Sequence, residues 1–95
     1  IDNSELRIQN LELYQNYPNP FNPSTEISFS LDESQLVKLS VYNLSGQLVS
    51  ELVNKKLDKG IHKINFNASD LNSGIYFYTL ECEGFSETNK MLLIK

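Results

Sequence analysis

Apolar and polar positions alternate along most of this chain with a period of two. Ile27, Phe29 and Leu31 fall on one side of a run whose other side is Ser28 and Ser30. That alternation predicts a half-buried strand over residues 25–31. Val37, Leu39 and Val41 alternate in the same way with Lys38, Ser40 and Tyr42. Tyr76, Tyr78, Leu80 and Cys82 share one face of the strongest strand, residues 75–83. Shorter versions appear at Leu11 and Leu13 around Glu12, and at His62, Ile64 and Phe66. A last strand covers residues 87–95 and ends in Met91, Leu92, Leu93, Ile94 and Lys95.

Turn-forming residues separate these runs. Asn43-Leu44-Ser45-Gly46 predicts a hairpin turn, with Gly46 at positive φ, leading into a strand over residues 47–53. Residues 54–60 are predicted to be a polar connection, and residues 67–74 a loop of small polar residues around Leu71. Gly84-Phe85 is the last turn. About seven short strands at intervals of roughly 8–12 residues predict an all-β antiparallel sandwich. Residues 1–10 lack periodicity and are predicted to be the end of a linker, leaving residues 11–95 as one domain.

One segment breaks the pattern. All three prolines of the chain lie in Pro18-Asn19-Pro20-Phe21-Asn22-Pro23. Each fixes its own φ, lacks a donor and biases the preceding residue toward extended backbone. The segment is predicted to be a stiff bend, pinned to the core by Tyr17 and Phe21, with Asn side chains bonding the freed backbone.

Charge and composition mainly exclude functions. The 95 residues carry eight basic and twelve acidic side chains, for a net charge of −4, without a basic cluster. Nucleic acid and anionic membrane surfaces are therefore poor partners. The longest apolar run, residues 91–94, is too short to span a bilayer. No charged-then-apolar leader opens the sequence, so any export signal is expected upstream.

Candidate chemistry is sparse. His62 is the single histidine and forms no metal cluster alone. Cys82 is the single cysteine, read as a small buried hydrophobe, with Glu81 and Glu83 expected to raise its pKa. Asn67, Ser69, Asp70 and Asn72 supply too few carboxylates for calcium, so they read as a loop held by side-chain-to-backbone bonds. No catalytic residue, cofactor site or metal site is predicted.

Six segments, in order, carry a resemblance. They are Tyr17-Pro18-Asn19-Pro20-Phe21-Asn22-Pro23, Glu26-Ile27-Ser28-Phe29-Ser30-Leu31, Val41-Tyr42-Asn43-Leu44-Ser45-Gly46-Gln47-Leu48-Val49, Gly60-Ile61-His62, Leu71-Asn72-Ser73-Gly74-Ile75-Tyr76-Phe77-Tyr78 and Lys90-Met91-Leu92-Leu93-Ile94-Lys95. Together they resemble the C-terminal sorting domain of the type IX secretion system of Bacteroidota and related bacteria. The resemblance implies an immunoglobulin-like sandwich of about seven strands. It also implies a secretion signal, not an enzyme, recognised by an outer-membrane translocon. An N-terminal cargo would pass through the periplasm to the medium or cell surface. A sortase-type peptidase would remove the domain within or before residues 1–10, with surface anchoring of the cargo.

The immunoglobulin-like domain of the flagellar hook-capping protein is also similar. The apolar-Lys strand closing the sequence favours the sorting domain. The alternative from another class is a structural or carbohydrate-binding module of a secreted hydrolase. Tyr42 and Phe77, opposite the expected core, would be its aromatic platform.

Within the resemblance, Lys90, Met91, Leu92, Leu93, Ile94 and Lys95 are the expected translocon contacts, offered as a sheet edge. Pro18, Asn19, Pro20, Phe21, Asn22, Pro23, Gly46, Gly60, Gly74 and Tyr76 are expected to be structural. Gly74 would relieve crowding at a strand start, and Tyr76 would pack inward with its hydroxyl bonded.

Overall fold

The alternating runs close into two antiparallel sheets packed face to face. The structure is a computed structural model and describes residues 11–95. The expected linker at residues 1–10 lies outside the described residues. Seven strands follow one another: β1 (Glu12–Leu13), β2 (Ser24–Leu31), β3 (Gln35–Asn43), β4 (Leu48–Leu57), β5 (Gly60–Asn67), β6 (Gly74–Cys82) and β7 (Phe85–Leu93). One sheet has the order β1-β2-β5 and the other β4-β3-β6-β7. This is the immunoglobulin-like sandwich expected from the strand count and the resemblance.

The inward faces are the apolar sides of the predicted alternations. Ile27, Phe29 and Leu31 of β2 meet Val37, Leu39 and Val41 of β3 and Tyr78 and Leu80 of β6, all essentially inaccessible to solvent. Burial of such side chains is the main driving force for a sheet-on-sheet core. Phe66 of β5 and Phe21 of the bend close one end, their ring centroids 6.2 Å apart. Met91 and Leu93 of β7 are also buried.

Two expectations need correction. The strand after the Gly46 turn does not stop near residue 53. It continues through Asn54, Lys55 and Lys56 to Leu57, pairing with Gln35, Leu36, Val37 and Lys38. Those polar residues lie on the outer strand of the sheet and are exposed. An edge strand buries little, so its sequence loses the apolar alternation, and its lysines discourage pairing with other chains. Tyr17 does not pin the bend either. It is 80% exposed, because its backbone bridges to Glu26 and turns the ring outward, and Phe21 alone enters the core.

Candidate functional site

The motif residues are far apart in sequence, and the fold gathers most of them at one end of the sandwich. The bend precedes β2, and Phe21 forms a parallel bridge with Leu93 of β7. In the neighbouring pair of strands Gly74 faces Leu93 and Tyr76 faces Met91. Asn43, at the start of the Gly46 turn, faces Tyr76 across β3 and β6. Gly60 is not part of this group. It faces Leu31 at the opposite end of β2.

The bend is tied to the edge of β7 by its backbone and the Asn19 side chain, with Gln15 just before it adding a further bond. Phe21 N–H donates to the Leu92 carbonyl and Ile94 N–H donates to the Phe21 carbonyl, both at 3.0 Å. Leu92 N–H donates to Asn19 Oδ1 at 3.0 Å, and Gln15 Nε2 donates to the Lys90 carbonyl at 2.7 Å. The expectation that residues 90–95 present an open backbone edge therefore fails over this stretch. Covering an edge with a loop satisfies groups that would otherwise template pairing with another chain. Side chains divide in the usual alternation: Met91 and Leu93 complete the core, while Lys90, Leu92, Ile94 and Lys95 face solvent. Lys95 is held as well, its N–H donating to Ser73 Oγ at 2.9 Å and its ammonium to the Ser69 carbonyl.

Beneath the bend lies a buried polar network. Tyr78 Oη donates to the Tyr14 carbonyl at 2.7 Å and accepts from Asn16 N–H at 2.8 Å and from Asn89 Nδ2 at 3.3 Å. Asn16 Nδ2 donates to the Pro18 carbonyl at 3.1 Å and to Thr25 Oγ1 at 3.0 Å. Thr25 Oγ1 donates to the same Pro18 carbonyl at 2.9 Å. Asn16 and Thr25 are each 2% exposed. A buried network stiffens its surroundings only when its members are paired, which is the case here. Burial first of all, with the nearby Glu87 charge adding to it, pushes the Tyr78 hydroxyl above its ordinary pKa, although its bonds to Asn89 and Asn16 pull the other way. Sequence reading missed Gln15 and the burial of Thr25, whereas Asn16 bonds the freed backbone at Pro18 as expected of the asparagines in this segment. Thr25 continues the inward alternation of β2, and an inward tyrosine demands partners for its hydroxyl; both signals were available.

The two glycines and Tyr76 behave locally. Gly46 has φ of 86°, and the turn is completed by Asn43 Oδ1, which accepts from the N–H groups of Ser45 and Gln47 at 2.9 and 3.0 Å. Gly74 relieves no crowding: a Cβ there would meet nothing within 4 Å. Its φ of 153° is the reason for glycine. Tyr76 packs inward and its hydroxyl donates to the Asn72 carbonyl at 2.7 Å.

The remaining candidates lie elsewhere. His62 is half-buried, stacks on Phe29 at 5.5 Å, and its Nε2–H donates to the Asp58 carbonyl at 2.7 Å. Cys82 is half-buried on the far end of β6, in a groove of about 690 Å³ lined also by Lys38, Glu81 and Glu83. Its thiol pKa is raised by burial first and by Asp32 second, and not by the flanking glutamates. Asn67 Oδ1 accepts from Ser69 N–H at 2.9 Å and from its hydroxyl, the local bonding expected for that loop. Among the described residues no group of three or more His, Cys, Asp and Glu side chains is arranged to hold a metal ion. No helix there is long and apolar enough to cross a membrane.

Comparison with known proteins gives one family. The model of the secretion system C-terminal sorting domain matches residues 15–95. No curated protein matches the sequence. Among solved structures, the chain is similar to part of PorZ, described as an essential bacterial surface component of the type-IX secretion system of Porphyromonas gingivalis. The TM-score is 0.59 at 18% identity, over 90% of this chain and 11% of PorZ. The chain thus spans about a tenth of that protein, and the likeness is one of fold. The Ig1 domain of mouse SynCAM 2 aligns with a TM-score of 0.43 at 18% identity, over 75% of this chain and 80% of that domain.

Proposed function

This chain belongs to the family of secretion system C-terminal sorting domains, and we propose that its signal is a folded surface at one end of the sandwich. The domain is a type IX sorting signal, which directs the protein joined to it across the outer membrane to the medium or the cell surface. In our reading the translocon contacts are the outward side chains Lys90, Leu92, Ile94 and Lys95, together with the bend. The observation that carries this is the gathering of the bend, Gly74, Tyr76 and the last strand at one end, locked by the bonds to Lys90, Leu92 and Ile94. Met91 and Leu93 hold the strand in place from the core side. Residues 11–95 act as one unit behind a linker at residues 1–10. A sortase-type peptidase cuts within or before that linker and leaves the cargo free or anchored at the surface. The domain is then a substrate of its partners and not an enzyme.

The test compares two pairs of exposed apolar residues in an exported fusion. Leu92→Asp with Ile94→Asp should stop export while melting stays within a few degrees of the parent. Leu36→Asp with Ile61→Asp, at residues 65% and 66% exposed elsewhere on the surface, should leave export intact. Equal export of both variants would refute the assignment. N-terminal and mass analysis of the released domain should place the cut within or before residues 1–10, and a cut inside the sandwich would contradict it.

A further inference from the structure

The sealed edge limits how a partner can read the last strand. Adding a strand there would require the N–H groups of Leu92 and Ile94 and the carbonyls of Lys90 and Leu92, which the bend and Gln15 already occupy. Recognition at this stretch must then use side chains. Between the bend and β7 lies a shallow, mainly apolar pocket of about 160 Å³, lined by Asn19, Ile75, Lys90, Met91 and Leu92. Ile75 and Leu92 face each other across β6 and β7, and both point away from the core. In the next ladder row Lys90 faces Phe77, Phe77 faces Tyr42, and Tyr42 faces Leu48. The outer face thus carries an apolar stripe from Leu92 to Leu48, which are 36% and 56% exposed. Lys90 is the only charged residue in these two rows.

We propose that this stripe is a docking surface for a protein segment of the secretion machinery that seats one aliphatic side chain between Ile75 and Leu92 and sets a carboxylate against Lys90. The proposal rests on the sorting reading above. The pocket is small and apolar, which suits a single aliphatic side chain. The chain carries a net charge of −4, so an acidic segment is repelled by most of it, and in these two rows Lys90 offers it a cation without a neighbouring acid beside an apolar seat. That contrast fixes register as well as location. A second copy carries the same net charge of −4, and a two-fold axis through this end of the stripe would also oppose Lys90 to Lys90, so the copy is not the favoured occupant.

The 95-residue chain, labelled for amide NMR, is titrated with capped tripeptides Asp-Leu-Asp, Lys-Leu-Lys and Asp-Gly-Asp. Only Asp-Leu-Asp should shift the amides of Asn19, Ile75, Lys90, Met91 and Leu92. Lys90→Glu should weaken that peptide by about tenfold or more and bring in Lys-Leu-Lys. Asn65→Glu, exposed on β5 of the other sheet, should change little. Shifts with all three peptides, shifts centred elsewhere, or no shifts would overturn the proposal. So would shifts that follow protein concentration instead of peptide, which would identify a second copy. Export of a fusion separates the two claims. A wild-type fusion that stays in the periplasm defeats the sorting reading and leaves the titration to decide the pocket. A Lys90→Glu fusion exported as well as wild type defeats the docking proposal and removes Lys90 from the translocon contacts, while the domain's role as a sorting signal stands.

Discussion

Replacing Tyr78 by phenylalanine removes one oxygen and little else. The ring stays in the core, where Tyr78 is inaccessible to solvent. The lost hydroxyl had bonded the Tyr14 carbonyl, Asn16 N–H and Asn89 Nδ2. Asn16 is 2% exposed, so its N–H is left without water or a partner. A buried donor orphaned in this way costs about 1–3 kcal/mol. We take about 2 kcal/mol, a large share of the total of about 5–15 kcal/mol expected for a small domain. For a domain of this size the melting temperature should fall by roughly 8–16 °C.

Urea unfolding followed by circular dichroism measures the change. Hydrogen exchange should show the amides of Leu92 and Ile94 losing protection first, because the bend that accepts their bonds is anchored by this network. A double-mutant cycle with Asn16→Ala should give a coupling of about 1 kcal/mol or more, as expected for directly bonded residues.

The pH dependence has a definite sign. The folded pKa of Tyr78 lies above its ordinary value near 10. Its contribution is therefore complete below that value and is lost as pH rises from there through the folded pKa. Tyr78→Phe should lose this alkaline slope, whereas the slope due to Cys82 remains in both proteins. A destabilisation below about 0.5 kcal/mol with unchanged exchange would refute the argument that the network holds the bend.

Ser40 is inaccessible to solvent and its hydroxyl has no hydrogen-bond partner among the described residues. Ser40→Ala should raise stability by up to about 1 kcal/mol in the same assay, and a clear loss would mean the hydroxyl is bonded. Gly46→Ala forces a side chain into a left-handed turn and should cost about 1–2 kcal/mol. Gly46→Asn should cost less, and an equal loss would argue against the backbone explanation. Cys82 should be alkylated more slowly in the folded protein than in urea at the same pH, because its folded pKa is raised. Asp32→Asn should narrow that gap, and faster reaction in the folded state would contradict the assignment.

The inward alternations of β2, β3 and β6 were legible in the sequence because each strand is half-buried and writes its two faces as two residue classes. The Gly46 turn was legible for a similar local reason. The far half of β4 was not, because Asn54, Lys55 and Lys56 sit on an exposed edge and read as a loop. The seal on β7 was hidden for another reason. It joins Gln15, Asn19 and Phe21 to residues more than seventy positions away, and no periodicity encodes the partner of a backbone edge. The inward place of Thr25 follows from the alternation of β2, but the bonds that link Thr25 to Asn16 and Asn16 to Tyr78 are visible only in the fold. The motif resemblance reached the function where the residues alone stopped at a small sandwich. It did not reveal that the proline bend and the last strand form one surface.

The central claim is that residues 1–95 suffice to route a cargo through type IX secretion. We would join them to the C-terminus of a periplasm-exported fluorescent protein in a host with that system, and measure fluorescence in the medium and on the cell surface. The account predicts export that disappears in a translocon mutant. A folded fusion retained in the periplasm, while a known sorting domain is exported in parallel, would contradict it.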